Sequence, residues 1–317
     1  MRTSSNRLWL YLVAFITALA SPLALAQEKY PTRPIEFIVP WGPGGGSDQT
    51  ARKISKLLEA ELGVSVPVVN VPGATGNTGM TKLLSAPADG YSIAILAAES
   101  YALLAGQPQR WSTNDFIFLA TMITLPTGFY VAGDRYADWK AFEKEARSRA
   151  VKVSITGFGG LDDITVNYLV SKGLKLVAVP FANPGERYAA VLGGHVDALS
   201  SPAGNIKSMV ESRQLRPIIF FGSERLPEYK DVPVSTELGY DVTLPQRRVV
   251  IIKTGTDPAR VAILAKALAR VAQTEEYKAF LRDAVASPTS YADTAGATAA
   301  MQQDLAQMRA VIQATKK

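Results

Sequence analysis

Two glycine-rich turns about thirty residues apart carry the chemistry most legible in this chain. The first is Pro40-Trp41-Gly42-Pro43-Gly44-Gly45-Gly46-Ser47-Asp48. The second is Pro72-Gly73-Ala74-Thr75-Gly76-Asn77-Thr78-Gly79. Each follows an apolar run that reads as a strand, Ile35 to Val39 and Val66 to Val69, and each precedes a stretch that reads as a helix. Glycine lets the backbone adopt positive φ and come close to a ligand. A helix start behind it offers free N–H groups and the positive end of a dipole. Two such turns on neighbouring strands make a cradle for a small anion that requires no cationic side chain. The competing reading is a pair of tight strand-to-helix turns with no ligand. Three consecutive glycines weigh against it, because structural turns seldom need them.

The rest of the inventory excludes more than it offers. There is one histidine, His195, and no cysteine. A His/Cys zinc site cannot be assembled, and no metal or cofactor is expected. A Ser-His-Asp triad would have to use His195, which sits in Leu192-Gly193-Gly194-His195-Val196-Asp197, a helix-to-strand turn at the surface. Gly-x-Ser-x-Gly is absent, so an exported hydrolase using Ser47 or Ser201 is a remote rival. The net charge of +6 favours anionic ligands. No basic run interleaved with aromatics appears, so nucleic acid is not an expected partner.

The elements that must position the turns follow a leader. Arg2 and Arg7, a mostly apolar run from Leu8 to Leu23, and Ala24-Leu25-Ala26 form a secretory signal, with cleavage expected after Ala26. Ser21-Pro22 breaks the run and argues against a membrane anchor. Without cysteine there is no lipid attachment through that residue and no disulfide, and the mature chain is expected to be soluble in the periplasm.

Beyond the leader, strands and helices alternate. Asp48 reads as the N-cap of a helix carrying Ala51, Ile54, Leu57, Leu58 and Leu62, ended by Gly63. A helix at 77–85 and a strand at Tyr91 to Ala97 complete a βαβαβ unit, hence a parallel sheet. A second block has strands at 129–132, 151–155, 174–179, 196–199 and 217–221. Helices start behind Asp138, at Asp162 or Asp163, behind Asn183-Pro184 and at Pro202. A strand at 249–252 and long helices from Asp257-Pro258 onward then return to the first block. The chain therefore reads as α/β, with crossings near Leu125-Pro126 and Leu244-Pro245. The expected division is residues 1–26 as signal peptide, 27–126 plus 248–317 as lobe 1, and 127–247 as lobe 2.

The spaced motifs together resemble a known family. Pro31-Thr32-Arg33-Pro34-Ile35, the two glycine turns, Ala88-Asp89-Gly90-Tyr91, Val179-Pro180-Phe181, Leu192 to Asp197 and Asp231-Val232-Pro233 fall in the order of the Bug/TctC family, along nearly all of the mature chain. That family comprises the periplasmic solute receptors of tripartite tricarboxylate transporters. The resemblance implies a two-lobed type II periplasmic-binding-protein fold with a ligand cleft between the lobes. It implies a monomeric, non-catalytic receptor for a small organic carboxylate (di- or tricarboxylate, or aromatic). The membrane components of such a transporter would be its partners. A receptor feeding a membrane sensor kinase is the alternative, and nothing in the sequence separates the two.

In the family the two turns hold one carboxylate. Carried over, this assigns Gly44, Gly45, Gly46, Ser47 and Asp48, and Ala74, Thr75, Gly76, Asn77 and Thr78, with Trp41 at the pocket wall. The second lobe is expected to contribute Thr156, Phe158, Asp163, Ser200 and Ser201. An Asp-Asp-His step common in the tricarboxylate branch is here Asp162-Asp163-Ile164, which removes a donor to a second carboxylate. Trp41 and Phe158 fit an aromatic or apolar ligand body, with packing under a loop the alternative for each. An arginine near the return crossing is expected to meet a distal carboxylate. Arg247 is assigned to it, with Arg248 the alternative that the sequence does not separate.

Overall fold

A computed structural model describes residues 29–316. The leader and its cleavage point lie outside the described residues. Two five-stranded sheets with helices packed on them define two lobes. The first sheet contains β1 (Glu36–Val39), β2 (Val68–Asn70), β3 (Ser92–Ala97), β4 (Phe116–Leu125) and β10 (Gln246–Lys253), in the order β2-β1-β3-β10-β4. The second contains β5 (Thr127–Ala132), β6 (Val151–Ile155), β7 (Leu176–Pro180), β8 (Ala198–Pro202) and β9 (Leu215–Phe220), in the order β7-β6-β8-β5-β9.

The two sheets repeat one design. In each, three strands run parallel, and two further strands run antiparallel to their neighbours. The sheets are therefore mixed, not wholly parallel as the βαβαβ pattern alone implies. Their antiparallel members are the strands that carry the chain between lobes. It leaves the first sheet at the end of β4, passes Pro126, and enters β5 at once. It returns at Pro245, immediately before β10. The hydroxyl of Thr127 donates to the Leu244 carbonyl at 3.2 Å and ties the two crossings together.

Local signals account for most helix ends. Helix α1 (Gly46–Leu62) buries Ala51, Ile54, Leu57 and Leu58 at helical spacing. It stops at Gly63, whose φ of 69° is one that glycine tolerates without a Cβ clash. Asp138 caps the helix Trp139–Ser148, accepting from the Ala141 amide at 2.8 Å. Asn183 caps Pro184–Leu192 through the Gly185 amide at 3.0 Å, with Pro184 at the first helical position. Asp48 does not cap α1. The helix begins two residues earlier, behind Gly45, and Asp48 lies within its first turn. Strand β4, the longest, is one to which the sequence reading assigned nothing. Its run Phe-Ile-Phe-Leu-Ala-Thr-Met-Ile-Thr-Leu is almost continuously apolar and lacks the alternation that marks a half-exposed strand.

The second lobe is held by an aromatic cluster. Phe129 meets Phe221 edge-on at 4.9 Å between ring centres, and Phe142 meets Tyr136 at 5.3 Å and Phe129 at 6.2 Å. The quadrupoles of the rings favour these edge-to-face arrangements. Phe142 is wholly buried, so Phe142→Ala leaves a cavity that its rigid neighbours cannot fill. The expected loss is about 3–5 kcal/mol, read as a lower urea midpoint at unchanged slope.

Candidate functional site

The carboxyl ends of parallel strands from both sheets meet at one cavity, where open α/β sheets place their ligands. It contains about 550 Å³ of empty space, its open mouth included. From the first lobe come Trp41, Gly45, Gly46 and Ser47 behind β1, Glu99 behind β3, and Gln246 and Arg248 on β10. From the second come Thr156 behind β6, Phe181 and Pro184 behind β7, Arg187 and Tyr188 one turn into the next helix, and Ser200, Ser201 and Asn205 at the end of β8.

The lobes touch around this cavity. Arg248 lies on the first sheet, yet its Nη2 donates to Asn205 Oδ1 of the second lobe at 3.1 Å. Its Nη1 donates to Thr50 Oγ1 at 2.8 Å. Gly46 makes this arrangement possible. A Cβ there would lie 2.1 Å from Asn205 Oδ1 and 2.2 Å from Arg248 Nη2. A Cβ on Gly157 would lie 2.5 Å from Thr75 Oγ1, so the second glycine turn also abuts the opposite lobe.

The electrostatics favour an anion. Arg248 is 3% exposed and its two hydrogen-bond partners are neutral oxygens. Burial pulls its guanidinium down to about 10, against the upward pull of Tyr188 and Glu99, so it keeps its charge at neutral pH. Arg187 is equally buried, 3.9 Å from Asp162 Oδ2. Burial and the neighbouring Asp162 carboxylate push the Glu99 carboxyl well above the usual range. That shift favours the protonated acid, which weakens Glu99 as a counter-ion for the two arginines. The Nε atoms of Arg187 and Arg248 and the Nε1 of Trp41 are buried donors without a protein partner. Gln246 adds an unpartnered amide oxygen. The first amides of α1, at Gly46 and Ser47, lie on the same wall at the positive end of the helix dipole.

The structure gathers some of the residues assigned from sequence and separates others. Trp41, Gly45, Gly46, Ser47, Thr156, Ser200 and Ser201 line the cavity. Gly44 does not line it; its φ of 77° turns the chain, and its amide donates to Asp48 at 3.0 Å. Asp48 also accepts from Arg52 and Asn70, both at 2.9 Å. Burial alone would raise its carboxyl, but these bonds hold it below the ordinary value, so Asp48 braces the turn.

Ala74, Thr75, Gly76, Asn77 and Thr78 are not on the cavity wall. Residues 73–76 form a turn with four consecutive positive φ values. Thr75 packs towards Gly157 and Gly76 towards Ser100, while Asn77 holds Gln109 and the Trp111 indole. Phe158 is 62% exposed and stands in solvent. Asp163 turns away from the cavity to accept from the Gly159 amide at 2.8 Å.

Arg247 does not line this cavity either, and strand geometry gives the reason. Successive side chains on a strand point to opposite faces, so Arg247 and Arg248 cannot share the cavity. Arg247 faces away and donates to Asp304 at 2.9 Å and Thr124 at 3.1 Å. Sequence reading missed Arg187, Glu99, Gln246 and Asn205. Glu99 lies two residues past the end of the apolar strand β3, and Arg187 lies one turn behind the Asn183-Pro184 helix start, two signals that could have found them.

Gly46→Ala is expected to weaken anion binding at least about tenfold, a loss of ~1.4 kcal/mol. The added methyl must displace either Arg248 or Asn205. Titration calorimetry gives the affinity, and circular dichroism verifies that the fold is kept.

Comparisons with known proteins agree with this architecture. The chain is 28% identical to Protein BugT of Bordetella pertussis over 271 residues, covering 82% of each chain. It is 26% identical to a ligand-free TctC solute-binding protein from Polaromonas, with a TM-score of 0.67 over 90% of this chain and 99% of that one. MatC from Rhodopseudomonas palustris, solved with bound malate, shares the fold with a TM-score of 0.82 at 22% identity, over 89% of this chain and all of that one. The family model described as the tripartite tricarboxylate transporter family receptor matches residues 50–316. The chain thus belongs to the TctC family of periplasmic solute-binding receptors, which are not enzymes.

Proposed function

We propose that this chain captures a small organic carboxylate in the cavity between its lobes and delivers it to a tripartite-type membrane transporter. One observation carries the reading: Arg248 is a buried cation that hydrogen-bonds only neutral oxygens and makes no salt bridge among the described residues. An unpaired buried charge is costly, and an anion from outside relieves that cost. A carboxylate matches the guanidinium fork and the free α1 amides at once. The unpartnered Gln246 oxygen would accept from a hydroxyl or amine on the ligand body. Trp41, Phe181 and Tyr188 supply apolar wall for that body. Malate, held by MatC, is a ligand of this chemical class.

In this reading the leader exports the chain, cleavage follows Ala26, and the mature protein works as a periplasmic monomer. The lobes close about the crossings at Pro126 and Pro245, and closure brings Asn205 and Arg187 over an anion already held by the first lobe. A transporter could then distinguish loaded from empty receptor.

The test is a thermal-shift panel of malate, succinate, adipate, citrate and benzoate against wild type and Arg248→Met. At least one carboxylate is expected to raise the wild-type Tm with concentration. The variant should lose that response while its unliganded Tm stays equal or rises, because an uncompensated buried charge has been replaced by an apolar chain of similar length. A wild type that ignores every carboxylate, or a variant that responds fully, would overturn the reading.

A further inference from the structure

Across the cleft, two acidic side chains face each other. Glu99 projects from the short helix Ala98–Tyr101 of the first lobe, and Asp162 from the helix Leu161–Ser171 of the second. Glu99 Oε2 accepts from the Asp162 amide at 3.5 Å. A Cβ on the neighbouring Gly160 would lie 2.7 Å from that oxygen and 3.3 Å from Asp162 Oδ1, so the carboxyls share one small space. Both residues are nearly sealed from solvent.

Their donor sets differ. Asp162 accepts from the Thr156 amide at 2.6 Å, the Thr156 hydroxyl at 2.5 Å and the Asp163 amide at 2.9 Å, with Arg187 Nη1 at 3.9 Å. Among the described residues, Glu99 accepts one long hydrogen bond, from the Asp162 amide, and its other hydrogen-bonding neighbour is the Asp162 carboxyl itself. Of the two carboxyls, Glu99 is thus the one with fewer donors to support a negative charge.

The charges around Glu99 point the same way. Asp162 and Arg187 face it from the second lobe, Arg248 from β10, and Tyr101 from its own helix with Asp304 behind. Arg187 balances Asp162, and Arg248 is left for an incoming carboxylate. An ionised Glu99 would put three anions against two cations in a nearly dry space.

Resting on the function proposed above, we infer that closing the lobes over a carboxylate takes up one proton from solvent, held on Glu99 against Asp162. In the open cleft Glu99 faces water without Asp162 and ionises. On closure it loses that water, gains a neighbouring carboxylate and binds a proton, forming an O–H directed at Asp162. The sign follows from linkage. Affinity is greatest below the open-cleft value of Glu99 and falls as pH rises towards its closed-cleft value, by up to about tenfold per unit. The receptor would thus load best in an acidified periplasm and release its cargo more readily as pH rises.

The experiment uses the panel member that raises the wild-type Tm most. Its binding enthalpy at about pH 7 is measured in buffers of different ionisation enthalpy, which gives the protons taken up. Uptake approaching one proton is expected for wild type. None is expected for Glu99→Gln, whose amide mimics the protonated acid, and whose affinity should be flat with pH and exceed that of wild type at about pH 8. Absence of uptake in wild type, or undiminished uptake in Glu99→Gln, overturns the inference while leaving carboxylate capture intact. A wild type that binds no panel member at any pH overturns both.

Discussion

The guanidinium of Arg248 is the point on which the arrangement of both lobes depends. It is carried by β10, the strand on which the chain returns from the second lobe and inserts between β3 and β4. From there it reaches Thr50 in α1 and Asn205 in the other lobe. One side chain therefore reads the position of three elements at once. Hydrogen bonds to neutral oxygens orient the guanidinium but leave its charge in place. Desolvating a charge without neutralising it is unfavourable, and folded proteins tolerate it chiefly where binding supplies the missing partner.

The doubled sheet design explains why the cavity forms there. Three parallel strands in each lobe direct their carboxyl ends and the helix starts behind them to the same side. When two such lobes face each other, several helix N-termini converge on one space, and their dipoles add to the positive potential of the arginines. The antiparallel strands do different work. They join the lobes through short crossings at Pro126 and Pro245, and the Thr127–Leu244 bond ties those crossings to each other. Two narrow connections of this kind are where the closure proposed above would hinge.

Much of this was legible in the sequence, and the part that was not has a physical cause. Capping residues, positive-φ glycines and apolar periodicity are local, so the helices behind Asp138, Asn183 and Asp257 and the stop at Gly63 could be read directly. The first glycine turn lines the cavity, because strand, turn and helix start are contiguous. The second turn looks the same in sequence, yet it abuts Gly157 and Ser100. Which side of a turn meets a ligand depends on where the other lobe sits, and composition does not encode that. The choice between Arg247 and Arg248 depends on a single step of strand register. The sequence alone cannot fix that step where a strand is buried on both faces.

The two adjacent arginines show how one strand can separate anchoring from binding. Arg247 meets Asp304, which also accepts from the Tyr101 hydroxyl at 2.5 Å. Burial raises the Asp304 carboxyl, and Tyr101 and Arg247 act against that rise, so charge and countercharge are matched within the protein. That cluster ties β10 to the helix Thr294–Ala314 and to the short helix bearing Glu99. On the opposite face, one residue later, Arg248 has geometry but makes no salt bridge among the described residues. The matched pair holds the strand rigid, so the unmatched charge cannot escape by swinging to solvent or to a carboxylate of the protein. Pre-organisation of this kind lowers the ordering cost of binding, since the first-lobe part of the site is already set when the anion arrives. The paired arginine is thus what allows its neighbour to remain unpaired.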